Sequence, residues 1–150
     1  MIQRIQTVFL VLAVVIGIVA NSMEIATFSN DGMLGYRIFS LWLVDANGGK
    51  TITTCPIFVM QLVALTMALY TIFMYRNRKI QMTLCNALIT LMVIWYITTG
   101  AYLFYFSQEM TLSNVGWGLP LPLLELILFV LAKKRIKHDD DMVKAADRIR

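Results

Sequence analysis

Long apolar segments alternate with short polar segments along the chain, and this pattern predicts its main elements. Four apolar stretches are candidates for helices that cross a membrane, at about residues 7–23, 56–75, 83–106 and 118–132. A helix needs about 20 mostly apolar residues to cross about 30 Å of hydrocarbon. The pattern therefore predicts an all-α membrane protein in which a single domain contains four transmembrane helices.

The first apolar stretch also has the basic start that is typical of a signal peptide, because Arg4 precedes it. A signal-peptide cleavage site needs a small residue three positions before the cut. The residues before Asn21 are Ile18, Val19 and Ala20, and Ile18 is not small. We therefore expect this stretch to remain in the protein as a membrane helix.

Lys and Arg residues are distributed unevenly between the two sides of this layout. If the amino terminus is inside, all but two of the 13 Lys and Arg residues are cytoplasmic, and only Arg37 and Lys50 are outside. Cytoplasmic loops of membrane proteins carry such an excess, so both termini are predicted to be cytoplasmic. A basic surface for lipid or a protein partner is predicted at Arg4, Arg76, Arg78, Lys79, Lys133, Lys134, Arg135, Lys137 and Arg148.

The composition agrees with a membrane protein. Apolar residues make up 59% of the chain and charged residues 15%, whereas soluble domains have about 45–50% and about 25%. The net charge of +4 does not indicate nucleic-acid binding, because the basic residues flank the apolar stretches and no nucleic-acid motif accompanies them. We therefore expect a lipid bilayer, and no nucleic acid, as a partner.

Residues 24–55, between the first two apolar stretches, are predicted to fold outside the membrane. The turn signals Asn30-Asp31-Gly32 and Asn47-Gly48-Gly49 separate segments rich in β-branched and aromatic residues, which is typical of a β-hairpin. The alternation is imperfect, since residues 41–44 are all apolar. Because periodicity does not distinguish short apolar strands from helices, an interfacial helix is the alternative to a small extracytoplasmic hairpin.

The polar tail, residues 133–150, is predicted to contain a helix. The acidic residues 139–141 can cap its start, and Met142, Val143, Ala146 and Ile149 follow at helical spacing. One interpretation is a short helix that extends the fourth membrane helix into water. The other is a docking helix for anionic lipid or for a cytoplasmic partner.

Side chains with metal-binding or nucleophilic chemistry are few. Cys55 and Cys85 are predicted near opposite membrane surfaces, too far apart for a disulfide, which needs Cα atoms within about 7 Å. His138 is the single histidine, and the sequence contains no metal-ligand spacing and no nucleophile–base pattern. We therefore expect no metal, no cofactor and no enzymatic activity.

Glu125 is the one ionisable residue inside an apolar stretch, and a carboxylate at such a position is by default a candidate functional site. At a rise of 1.5 Å per residue it lies about 10 Å below the outer boundary of its helix. Three roles remain open for Glu125: a structural hydrogen bond, coupling to a proton or substrate, or a bond to a partner subunit. A polar layer at similar depth is predicted at Gln61, Thr98, Thr99, Tyr102 and Glu125.

Three segments of the chain resemble one bacterial family. They are MIQRIQTVFLVLA at the start, IFMYRNRKIQMTLCN after the second apolar stretch, and LAKKRIKHDDDMVKAADRIR at the end. In this order and spacing they resemble the small four-span proteins of Bacteroidota that are grouped as domain of unknown function 4293. The departures are modest: His138, Asp140 and Ile149 stand where that family usually has Lys, Glu and Leu.

This resemblance implies a bacterial inner-membrane protein with four helices and no known activity, and it supplies no catalytic residue. The matching positions, called the signature residues below, lie on the predicted cytoplasmic side. They favour a function on that side over one in the polar layer. The signature residues are Gln3, Arg4, Gln6, Asn77, Arg78, Lys79, Gln81, Cys85, Asp139, Asp147 and Arg148.

Two functions remain open from the sequence. The first is a scaffold or accessory subunit that binds a larger membrane assembly through the basic surface and the tail. The alternative is a small oligomeric transporter or channel that uses the polar layer around Glu125. Transporter sites are typically built on interrupted helices, and the apolar stretches show no such interruption, which argues against transport.

Overall fold

Four helices and five strands form the part of the chain that the computed structural model describes. That part comprises residues 3–30, 33–74, 77–108 and 110–148, without the side chains of residues 3, 4, 30, 33, 34 and 146–148. The helices are α1 (Gln3–Ser22), α2 (Cys55–Phe73), α3 (Arg78–Ser107) and α4 (Leu121–Arg148). The strands are β1 (Glu24–Asn30), β2 (Met33–Phe39), β3 (Leu43–Asp45), β4 (Lys50–Thr51) and β5 (Thr111–Val115).

The strands form one antiparallel sheet in the order β4-β3-β2-β1-β5. β1 and β2 pair along their length, with Glu24 opposite Phe39. β5 comes from the link between α3 and α4 and pairs with the other edge of β1, where Ala26 lies opposite Val115. The sheet therefore joins the α1–α2 link and the α3–α4 link at one end of the helices, which we call the sheet end.

The prediction of an all-α protein with four transmembrane helices is wrong. The five-stranded sheet makes the fold a mixed one. Among the described residues, only α1, α2 and α3 are long and apolar enough to cross a membrane, judged by length and composition. α4 is not among them, because only residues 121–132 precede the charged residues that begin at Lys133, and this apolar part is too short to cross a membrane.

The segment between α1 and α2 forms strands and not the alternative interfacial helix, but these strands belong to the larger sheet. Gly48 lies in the second predicted turn with a φ of +79°, a left-handed conformation that glycine adopts without steric cost. The first predicted turn includes residues 31–32, which lie outside the described residues.

An apolar cluster holds the sheet on the helices. Ile25, Phe28 and Ile38 of the sheet are buried beside Ile57 of α2 and Trp95 of α3. Each of these five residues is at most 1% exposed. The sheet end is therefore a continuous part of the protein core and not a detached hairpin.

Two glycines allow the link between β5 and α4 to approach β1 closely. Gly116 N donates to Ile25 O at 3.0 Å, and Gly118 N donates to Glu24 O at 2.8 Å. A Cβ on Gly116 would collide with the backbone carbonyl of Glu24. This close approach positions the start of α4 against the end of α1.

Each helix packs against two neighbours, and α4 lies between α1 and α3. The shared core includes Leu10, Ala64, Leu88 and Phe129, and small residues such as Ala64 let helices approach closely. α4 continues through residues 139–141 without a break. The acidic residues therefore do not cap a helix start, and the tail helix is a continuation of the fourth helix, as in the first of the two interpretations.

Candidate functional site

A buried hydrogen bond joins two polar side chains in the helix core. Gln61 Nε2 on α2 donates to Glu125 Oε2 on α4 at 2.6 Å, and the two residues are 1% and 0% exposed. Gln61 Oε1 and Glu125 Oε1 have no hydrogen-bond partner among the described residues. Because a buried polar atom without a partner is costly, Glu125 Oε1 is the atom at which a proton or a ligand donor would be favoured.

Gly17 on α1 lies directly against this pair. A Cβ on Gly17 would be 2.9 Å from Glu125 Oε1 and 3.0 Å from Gln61 Nε2. It would also lie 2.7 Å from Leu65 Cδ2. The pair therefore occupies the space that a glycine leaves open, between three helices. We call Gly17, Gln61 and Glu125 the carboxylate cluster.

The other predicted members of the polar layer are placed differently. Thr98 Oγ1 donates to Ile94 O of its own helix at 2.9 Å, and Tyr102 OH donates to Thr53 O at 3.0 Å, just ahead of α2. Thr99 is buried, and its Oγ1 has no partner among the described residues. The structure thus joins two of the five predicted residues by a direct hydrogen bond.

Two aromatic side chains of α3 make hydrogen bonds that sequence reasoning missed. Trp95 Nε1 donates to Ile57 O at 3.2 Å, and Tyr96 OH donates to Leu119 O at 2.8 Å. These bonds attach α3 to the start of α2 and to the turn ahead of α4. The available signal was chemical, since a Trp or Tyr in an apolar stretch usually finds a partner for its polar atom.

At the end opposite the sheet, which we call the basic end, Asp139 of α4 links three helices. Gln6 of α1 donates to Asp139 Oδ2, and Arg78 Nη1 of α3 donates to the backbone oxygen of Asp139 at 3.0 Å. Nearby, Gln81 donates to Thr71 O of α2 at 3.4 Å. Asp139, Gln6 and Gln81 are buried. Four signature residues therefore act as connections between helix ends.

The predicted basic surface surrounds these connections. Six of its nine residues have described side chains, and all six are at least partly exposed: Arg78, Lys79, Lys133, Lys134, Arg135 and Lys137. Arg76 and the side chains of Arg4 and Arg148 lie outside the described residues.

α4 continues beyond the other helices at the basic end. Gln6 lies one turn from the start of α1, and Arg78 is the first residue of α3, so the described parts of these two helices end within about one turn of the level of Asp139. Residues 140–148 of α4 follow, a length of about 13 Å at 1.5 Å per residue. Met142 and Val143 are 42% and 44% exposed there. We call residues 140–148 the α4 extension.

An ion pair one turn apart, Asp140 with Lys144, stabilises the start of the extension. The hydrogen bond from Lys144 lowers the pKa of Asp140, and the charges of Lys144, Arg78 and Lys79 act in the same direction. The same hydrogen bond raises the pKa of Lys144. Both groups are therefore charged at neutral pH, beside the exposed apolar side chains.

The cysteines are both free thiols. Cys55 is partly exposed at the start of α2, and Cys85 is buried in α3. Within the described ranges, no group of three or more His, Cys, Asp or Glu side chains is arranged to hold a metal ion.

The chain matches a family model over almost its whole length. The model described as Domain of unknown function (DUF4293) matches residues 2–149. No curated protein and no solved structure matches the chain. The resemblance seen in the three sequence segments is thus confirmed, and the chain belongs to the DUF4293 family.

Proposed function

We propose that the protein is anchored in a membrane by its apolar helices. α1, α2 and α3 have the length and composition of membrane spans, and a third or less of each apolar window is buried inside the protein. Outward residues such as Val8, Ile18 and Ile97 are 53%, 55% and 67% exposed. Soluble proteins rarely expose large contiguous apolar surfaces, whereas lipid tails cover them as well as other apolar side chains do.

The charge distribution supports a cytoplasmic basic end and an extracytoplasmic sheet. Arg37 and Lys50 are the two basic residues of the sheet, and all other Lys and Arg residues lie near the start of α1, around the α2–α3 link or from Lys133 onward. Such an excess is typical of the cytoplasmic side. We infer a protein of the bacterial inner membrane whose basic end faces the cytoplasm.

In that membrane we propose the role of a scaffold or accessory subunit, which binds a partner protein through the basic end. The observation that carries this proposal is the α4 extension, a helical segment about 13 Å long that follows the level at which α4 is hydrogen-bonded to α1 and α3. Its exposed Met142 and Val143 are the kind of anchors with which a helix binds a partner's groove. The basic residues around its base favour a partner with an acidic surface.

Site-specific photocrosslinking in native membranes tests this role. One variant carries a photoreactive residue in place of Met142 on the extension. The control carries it in place of Leu112 on β5, which is 49% exposed at the other end of the protein. We expect one discrete crosslinked protein from the Met142 position and none from the Leu112 position. A truncation after Asp141 should abolish copurification of that protein and keep the Asp139 connections.

Identical products from the two positions, or crosslinks from the Met142 position to lipid alone, would exclude a partner at the extension. A product that consists only of a second copy of the chain would replace the accessory role with self-association.

A second candidate function is transport coupled to the carboxylate cluster. The observation that favours it is Glu125 Oε1, which lies beside Gly17 in the helix core and has no hydrogen-bond partner among the described residues. A carboxyl group in this position can exchange a proton or hold a cationic substrate. The competing explanation is a structural hydrogen bond between Glu125 and Gln61.

Proton flux in proteoliposomes tests transport. Coupled transport requires that Glu125→Gln abolish the flux, because an amide does not titrate, while the variant still folds. Glu24→Gln on β1, outside the carboxylate cluster, is the matched control and should leave the flux unchanged. Flux that survives Glu125→Gln would eliminate the coupling role. In that case a loss of stability in Glu125→Leu alone would indicate the structural hydrogen bond.

A further inference from the structure

A cavity of about 530 Å³ lies where the sheet meets α1 and α2. Ile18 and Asn21 line it from α1, Leu41 and Trp42 from the link between β2 and β3, and Leu62 from α2. Cavities of about 300–1,000 Å³ hold small organic ligands. The lining is mostly apolar, so the matching ligand is largely hydrocarbon.

The cavity reaches the outer surface of the helices. Ile18 and Leu62 line it and are 55% and 46% exposed. Because α1 and α2 are proposed to lie in the membrane, a step that rests on the proposed function, this opening faces the lipid chains. A ligand can therefore enter sideways from the bilayer without crossing water.

Both basic residues of the sheet stand over aromatic rings that line the cavity. Lys50 Nζ is 5.1 Å from the centre of the Trp42 ring, and the Arg37 guanidinium carbon is 5.5 Å from the centre of the Phe39 ring. The charge of Arg37 is offset by its ion pair with Glu24 at 2.7 Å. Lys50 makes no ion pair with an acidic side chain in the described part of the chain, so it is the cation available to an anionic group.

We propose that the cavity holds one acyl chain of an anionic phospholipid from the outer leaflet, with its phosphate beside Lys50. The apolar lining accounts for the chain, the lateral opening for its source, and Lys50 for the negative head. The occupant must combine a hydrocarbon chain with an anion, because the cavity and the cation are adjacent. This lipid site lies on the sheet end, far from the basic end that is proposed to bind a protein.

Native mass spectrometry of the purified full chain tests the lipid site. The protein is extracted from bilayers of equal amounts of phosphatidylglycerol and phosphatidylcholine, and the retained lipids are counted. We expect one retained phosphatidylglycerol per chain, with about fivefold preference over phosphatidylcholine, the size expected for one Lys near an anionic lipid. Lys50→Ala should remove this preference, and Lys50→Arg should keep it.

Filling the cavity provides the second arm. Leu62→Trp places a larger side chain at the cavity wall and should prevent retention of the lipid. Val63→Trp is the matched control, because Val63 is the next residue of α2, is 42% exposed and does not line the cavity. Equal retention by the two Trp variants, or equal retention of the two lipids by the wild type, would overturn the proposal.

Two additional outcomes identify other occupants. Palmitate added to the same bilayers, if retained in place of phospholipid, would show a free fatty acid site. A dimer without retained lipid would show that a second copy covers the cavity. Flotation of the protein with lipid vesicles tests the membrane anchor separately, so that a floating protein without bound lipid contradicts only the lipid site.

Discussion

The four helices are held together at the sheet end and at the basic end by different kinds of interaction. At the sheet end, two chain connections fold into one sheet, and Phe28, Ile38 and Trp95 fill the space beneath it. At the basic end, side-chain hydrogen bonds from Gln6 and Arg78 converge on Asp139. Apolar packing is non-directional and scales with area, whereas a buried hydrogen bond depends on both partners.

Each end of the helices contains one of the two proposed binding sites. The sheet end fixes its strands in a continuous core and leaves one cavity beside α1 and α2. The basic end fixes the helices at the level of Asp139 and leaves residues 140–148 of α4 beyond them. The two proposed binding sites are therefore at opposite ends of the helices.

The largest effect is expected from removing the central side chain of the sheet end. Trp95 is 1% exposed and donates to Ile57 O, so Trp95→Ala leaves a cavity and removes a buried hydrogen bond between α3 and α2. We expect a loss of about 3–5 kcal/mol in the free energy of unfolding, measured by denaturant titration in detergent micelles. Trp117→Ala, at a residue that is 72% exposed, should change it by less than about 0.5 kcal/mol. Equal losses would contradict the role of the cluster.

At the basic end, Asp139→Ala should cost about 2–3 kcal/mol, because it leaves the buried Gln6 amide without its acceptor. The same unfolding titration measures the loss. Asp141→Ala, two positions along α4 at an exposed residue, is the control and should have little effect. If the loss comes from the Gln6 amide without its acceptor, the double variant Gln6→Leu, Asp139→Ala should recover part of it. A further loss in the double variant would mean that the two residues act independently.

The positions of the apolar helices could be predicted from the sequence, because a long apolar stretch is a local pattern. The stretch predicted at residues 56–75 is α2, observed as Cys55–Phe73. β5 carried no comparable signal, since all five of its residues are exposed and show no apolar alternation. Its partner β1 is more than 80 residues away in the chain, so its pairing is a tertiary effect that no local pattern contains.

The level of the candidate site residues along the helices could be predicted from the sequence, but the hydrogen-bond partners of their side chains could not. The rise per residue placed Gln61 and Glu125 at one level of the helices, and they do share a hydrogen bond. Thr98 was placed at a similar level, yet its hydroxyl bonds to Ile94 O within its own helix. The long side chain of Tyr102 reaches Thr53 O, ahead of α2. Depth follows from counting residues, whereas the partner of a polar side chain depends on its length and on how the helices pack.

Close packing at Gly17 in the helix core is also testable by substitution. Gly17→Ala should cost about 1–2 kcal/mol through overpacking, because its Cβ would meet Leu65 and both polar residues of the carboxylate cluster. Gly100→Ala on α3 is the matched control, since its Cβ would meet nothing within 4 Å. Alanine is favoured over glycine in a helix, so Gly100→Ala should stabilise by about 0.5–1 kcal/mol. Changes of the same sign in unfolding titrations would contradict the close packing at Gly17.

The smallest effect is expected when acid weakens the ion pair of the sheet end. Burial raises the pKa of Glu24, but the hydrogen bonds from Thr27 and Arg37 and the Arg37 charge outweigh it, so that the pKa is below its usual value. Its stabilisation is complete above the unfolded-state pKa and is lost as pH falls through the folded-state pKa. The pair is partly exposed, so we expect less than about 1 kcal/mol. Unfolding titrations of wild type and Glu24→Gln should differ at neutral pH and converge in acid. A difference that persists in acid would mean that Glu24 stabilises the sheet by packing and not by charge.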